Sequence, residues 1–282
     1  MIDRTALRAV ALREIRTVLR TRAYLLLAIG LAVVLFGIVD RSDAVAAGYV
    51  PSTVDLLLPM ELLVPLVAVA IGYRAFTGDN DDSSVLSTYP ISTPTLVTGV
   101  FVGRLVGLAA ILALPLVAVL VSVAWTPTVG STVFATTDGV DSPILFVRFI
   151  VLTVFFGAVV LAMTLAVSVL TQSSKAALAL GIGVFVAVVA GGDLLLIGGL
   201  ATGSIDDGML RWAIGVSPNS AYRGLVYELV IGVATAEQGY ADVGTSVIGL
   251  GLWSLLGLLV TALGIKSKRR AAIAPSIKRH VR

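Results

Sequence analysis

Six apolar stretches divide this chain, at residues 23–39, 56–73, 97–125, 144–170, 176–198 and 244–265. A helix needs about 20 apolar residues to cross the hydrocarbon core of a bilayer, where no water satisfies loose backbone groups. Each stretch is long enough to span with some tilt. The pattern therefore predicts an all-α, polytopic integral membrane protein, with residues 1–282 forming one domain of six transmembrane helices. Ahead of the first stretch, Leu7, Ala11, Ile15 and Val18 follow the helical period while Arg13, Arg16 and Arg20 take the opposite face. That spacing predicts an amphipathic helix lying in the membrane interface. Glu14 falls at the edge of its apolar face, where it either pairs with a neighbouring arginine or meets a partner subunit. Segment 199–243 carries apolar pieces broken by Arg211, Arg223 and Glu228. It is too charged to span and reads as an external or re-entrant segment.

Composition supports this picture. Hydrophobic residues make up 57% of the 282 and charged residues 13%, against about 25% charged in ordinary soluble domains. Mean hydropathy is +1.01. Residues 1–22 are too polar for a signal-peptide core, so no cleavable leader is expected.

Charge sets the orientation. With the N-terminus inside, sixteen of the twenty Lys and Arg fall on the inner side, leaving Arg41, Arg148, Arg211 and Arg223 outside. Inner loops carry the basic excess, which predicts cytoplasmic N- and C-termini in a multi-pass protein of the cell membrane. Most acidic residues lie outside and arginine outnumbers lysine sixteen to four, a halophile-like composition. The basic cluster at 266–270 reads as a membrane-flanking stop signal, so no nucleic-acid partner is expected. There is no cysteine, and the lone histidine, His280, is in the tail. Disulfides, thiol chemistry and a histidine base or metal site within the membrane are thereby excluded, and no catalytic, metal or cofactor-binding set is expected.

An ionisable group inside the hydrocarbon costs about 2.5–3.5 kcal/mol on insertion scales, which marks such groups as functional candidates. Glu61 precedes Arg74 by 13 residues, about 20 Å of helix. There it lines a pathway or gates its outer mouth, unless the second span begins only at Leu62 and leaves it interfacial. Asp193 is expected near the outer interface. Pro65 and Pro115 interrupt spans and are candidate kinks.

Residues 74–94 form the one inner loop with room for structure. Asp81 or Asp82 would cap a short helix over 82–88, with Pro90 as its stop. The element has the form of a docking site.

Several motifs carry a family resemblance. Arg13-Glu14-Ile15-Arg16, with Arg20-Thr21-Arg22 after it, resembles the N-terminal stretch of type-2 ABC transporter permeases. Gly78-Asp79-Asn80-Asp81 stands where that family has Gly-Glu-Arg-Glu, although Asp79 is shorter and Asn80 replaces a base. Leu86-Ser87-Thr88-Tyr89-Pro90-Ile91-Ser92 resembles its Leu-Leu-Ser-x-Pro-Ile-Ser, and Gly103-Arg104 its Gly-Lys. Ser217-Pro218-Asn219-Ser220-Ala221-Tyr222-Arg223 is similar to the Asn-Pro-x-x-Ala-Phe-Arg segment of the nitrous-oxide-reductase maturation permeases within it. The resemblance implies a permease subunit that pairs with a second permease copy, as a homo- or heterodimer, and is driven by two copies of a separate ATPase, with export as the direction. It implies an ATPase-docking role for Gly78, Asp79, Asp81, Asp82, Leu86 and Pro90, braced by the helix of Arg13, Glu14, Arg16 and Arg20. Spans two and five would meet at the seam between copies. The chain has no Gly-x-x-x-x-Gly-Lys-Ser/Thr, so ATP would be held by the partner. The rival readings are a six-span secondary carrier or channel and an ATPase-independent anchor. A carrier would usually show internal repeats, and none joins the first three spans to the last three.

Overall fold

The computed structural model describes residues 3–77, 91–126, 141–235 and 239–279. Among these, all regular structure is helical. Six helical elements are long and apolar enough to cross a membrane. They overlap the six apolar runs, and each begins before its run does. Helix α1 (Arg4–Arg20) is capped by Asp3, whose carboxylate accepts from Thr5 and Ala6. It leads through Thr21 into α2 (Arg22–Arg41), the first span, and the short α3 (Ala44–Ala47). The second span is α4 (Tyr49–Gly72), the third α5 (Thr93–Trp125) and the fourth α6 (Pro143–Leu170). The fifth comprises α7 (Ser174–Val186), a π-helical turn (Ala187–Gly191) and α8 (Gly192–Ala201).

The following stretch is helical in pieces: α9 (Asp207–Ala213), a 3-10 turn (Ile214–Val216), α10 (Pro218–Val226), a second π-helical turn (Tyr227–Ile231) and α11 (Gly232–Thr235). Helix α12 (Val243–Arg279) closes the bundle as the sixth span.

Helix α6 is the centre, packed against α4, α5, α10 and α12. Phe146, Phe149 and Phe156 on it are fully buried. Pro65 and Pro115 lie buried inside continuous helices rather than ending them. At one end of the bundle, Asp141 caps the first turn of α4, accepting from the Tyr49 and Val50 amides at 2.9 Å each. Gly48 permits this, because its φ is +125° and a Cβ there would sit 2.0 Å from the Asp141 carboxylate. At the opposite end, the close of α4, the start of α5 and the close of α6 come together with α1. This end carries most of the chain's arginines and lysines and is called the basic end below.

Helix α1 runs lengthwise beside α5 and in the same direction, since Gly99, Gly103 and Gly107 meet Val10, Ala11–Glu14 and Val18 in turn. Glycines spaced by four leave a groove on one helix face into which a second backbone fits. A Cβ on Gly103 would lie 2.6 Å from the Ala11 carbonyl oxygen. The buried stripe of α1 is Val10, Ala11, Glu14 and Val18. Glu14 is therefore central to the packed face rather than at its edge. Helix α5, with 33 residues, is about 50 Å long against roughly 30 Å of hydrocarbon, so it has length to spare for this companion.

Candidate functional site

The site is built on α10. Pro218 supplies the fixed φ of a first helical turn, and the residues after it split by face. Tyr222, with no exposed surface, turns towards α6, where its ring stacks on Phe156 at 4.7 Å. Its hydroxyl lies 2.9 Å from Thr153 Oγ1, whose proton goes to the Phe149 carbonyl at 2.7 Å; Tyr222 is therefore the donor. Asn219, Ser220 and Arg223 are spaced i, i+1 and i+4 and form the other face.

That face holds a part-buried ion cluster around one buried carboxylate, Glu61. Arg223 Nε donates to Glu61 Oε1 at 2.7 Å and Nη2 to Oε2 at 2.5 Å, a bidentate pair of the stronger, charge-assisted kind. Nη2 also donates to Asp193 Oδ2 at 3.0 Å. Ser220 Oγ donates to Asp193 Oδ1 at 2.6 Å, and Asn219 Nδ2 reaches Glu61 Oε2 at 3.3 Å and the Val189 carbonyl at 3.5 Å. Val189 belongs to the first π-helical turn, where the wider winding offers a carbonyl outside the α-helical ladder. The second π-helical turn begins four residues after Arg223.

Glu61 is only 2% exposed. It is the thirteenth residue of a helix that starts at Tyr49, so it lies about 18 Å along α4 from that end. It does not sit at a helix start near Leu62. A buried carboxylate is costly unless paired, and Arg223 supplies the pair. Two carboxylates share one guanidinium, so the cluster ties α4, α8 and α10 together through charge. Among the described residues no group of three or more His, Cys, Asp or Glu is placed to hold a metal ion. Beside the cluster a mainly apolar cavity of about 440 Å³ is lined by Met163, Val188, Gly192, Leu195, Ser217 and Trp253.

A second polar centre occupies the basic end. Arg104 on α5 is 8% exposed. Its Nε donates to Glu14 Oε2 at 2.8 Å, and its Nη1 donates to the Ile71 carbonyl in the last turn of α4. Arg13 stands 3.8 Å from Glu14 Oε1. Arg16 and Arg20 are exposed on the outer face of α1, beside a shallow groove of about 520 Å³.

The structure thus brings Glu61 and Asp193 together, and sets Glu14 apart from Arg16 and Arg20 on α1. Gly78, Asp79, Asp81, Asp82, Leu86 and Pro90, with the expected helix over 82–88, lie outside the described residues. Sequence reasoning missed Arg223 as the cluster's centre and Arg104 as the partner of Glu14. The available signal was the amphipathic spacing of Asn219, Ser220 and Arg223 around an aromatic, in a segment that reads as external or re-entrant.

Six helices long and apolar enough to span, with a helical segment folded among them, define a multi-pass membrane protein. The chain belongs to the ABC-2 family of transporter proteins, whose sequence pattern it matches over residues 8–265. It is 27% identical over 228 residues to the probable ABC transporter permease protein NosY of Stutzerimonas stutzeri, covering 76% of this chain and 78% of that one. The NosY protein of Pseudomonas aeruginosa is 29% identical over 227 residues, with the same coverage. The chain is a membrane permease subunit of an ABC transporter and a transport component rather than an enzyme.

Proposed function

We propose that this permease works in the cell membrane with a separate ATPase, two copies of each, and exports its substrate. The ATPase docks at the basic end on the segment 73–92 that joins α4 to α5, and ATP is bound by that partner. One observation carries this reading: Arg104 joins α1, the last turn of α4 and α5 at the base of that segment. A load on the segment is thereby shared by three helices through a buried charge. The basic end is cytoplasmic by its lysine and arginine excess. Of the two spans implicated in pairing, span five has the barer apolar surface, with 11% of its window buried against 56% for span two; the copies meet along α7 and α8.

The Glu61–Arg223–Asp193 cluster is the outer gate. It closes the bundle between spans two and five, and α10, level with Glu61 and Thr153, is re-entrant. Replacing Asp79 and Asp81 by lysine tests the docking reading. The expected outcome is weaker co-purification of the ATPase from detergent with unchanged membrane insertion of the permease. Undiminished capture removes the docking role from these acids.

A further inference from the structure

Helix α12 has 37 residues, about 55 Å of helix, and outruns the hydrocarbon by several turns. Two consecutive side chains near its end at the basic side, Lys268 and Arg269, do more than flank a membrane. Lys268 Nζ donates to the Phe76 carbonyl at 3.2 Å and to the Thr171 carbonyl at 3.1 Å. Arg269 Nη1 donates to the Ile91 carbonyl at 2.8 Å. Phe76 follows α4 and Ile91 precedes α5, so these are the two stems of the segment joining those spans. Thr171 begins the turn between spans four and five. The Phe76 amide is held as well, donating to Ser168 Oγ on α6 at 2.9 Å.

Backbone carbonyls at helix ends have no partner within their own helix. Here two cations of one span satisfy three loop or cap carbonyls, one in each stem and one, Thr171, at the close of span four. The far part of the same helix meets the gate segment: Trp253 Nε1 donates to the Val216 carbonyl at 2.9 Å, just ahead of α10. Between these points α12 lies closely on α6, where a Cβ on Gly257 would come within 2.6 Å of the Ala162 backbone. One continuous helix therefore touches both stems and the segment that carries Arg223.

We propose that Lys268 and Arg269 are positioning residues for transport, clamping the stems at Phe76 and Ile91 to α12 so that this helix follows the stems and passes their displacement to the gate segment. This rests on the reading that the ATPase acts on the segment between those stems. A rigid element touched at both ends is a physical route for coupling, and a test must show that both ends respond together.

The absence of cysteine makes the test clean. In the full-length permease in nanodiscs, the double variant Lys268→Met/Arg269→Met is expected to speed amide exchange over residues 75–77 at least tenfold. Unchanged exchange there overturns the clamp. With the co-purified ATPase, spin labels at Ser42→Cys and Val247→Cys report the far end of α12 with and without ATP. Expected is an ATP-driven distance change in the parent that falls to less than half in the Met/Met variant, with ATPase capture held within twofold. The variant Lys268→Arg/Arg269→Lys restores it. An equal change in the Met/Met variant, or none in the parent, overturns the transmission. Failure of the parent to capture any ATPase sinks the docking reading and the transmission together, while the exchange result still decides whether the clamp exists.

Discussion

Arg104 shows how one side chain can be both costly and necessary. Its guanidinium is desolvated, and the Glu14 carboxylate and the Ile71 carbonyl make that burial tolerable. Removing one partner of a buried pair leaves the other charge stranded, at on the order of 3–5 kcal/mol, whereas replacing both by apolar groups is often nearly neutral. Arg104→Met should therefore lower the thermal unfolding midpoint in detergent strongly, and Glu14→Leu added to it should recover most of the loss. No recovery from the added Glu14→Leu would show that Arg104 is not held through Glu14.

Among the elements, α1 depends on the glycine row of α5 as much as on its own amphipathic pattern. The closest backbone approach is at Gly103, where the neighbour is the Ala11 carbonyl and cannot swing aside. Gly103→Val should detach α1, raising protease cleavage within residues 4–20 while the six spans stay inserted; retained protection would mean that α1 is held by its caps alone. The spans were legible in the sequence because an apolar run and its capping residues are local signals, and the described helices begin and end within a few residues of most runs. Spans two and six are the exceptions: span two starts at Tyr49, where Asp141, 92 residues away, caps it, and span six runs on to Arg279. The central place of Glu14 on the packed face is not legible locally, since its partner Arg104 is 90 residues distant. Helix α10 was hidden for the same reason. Its charges look like those of an external loop until Glu61, 162 residues earlier, is set against Arg223. Periodicity reports which face of an element is apolar, but not which buried charge on another element will meet its polar face.

For the whole molecule, the two polar centres sit at different depths and are joined by apolar helices. The Arg104 centre gathers α1, α4 and α5 at the basic end; the Arg223 centre gathers α4, α8 and α10 further along. Helix α4 carries groups of both, Ile71 and Glu61, some ten residues apart along one helix. A shift of α4 that keeps Ile71 on Arg104 must therefore move Glu61 relative to α10. The Arg223 pairs are the contacts such a shift would break, and the Asp193 carboxylate, 29% exposed, is the more easily released of the two. If the cluster is a gate, weakening its rim should favour the open state without unfolding the bundle. Asp193→Asn keeps the Ser220 contact and the bidentate Glu61 pair while removing one charge. It should raise the accessibility of a cysteine placed at Ser217 to a water-soluble maleimide several-fold, with a small change in thermal stability. Glu61→Gln should instead destabilise the fold, because the part-buried Arg223 charge would lose its bidentate partner and keep only Asp193 to balance it. A Ser217 probe equally protected in the parent and in Asp193→Asn, with both folded, would make the cluster a fixed structural tie and place the gate elsewhere in the bundle.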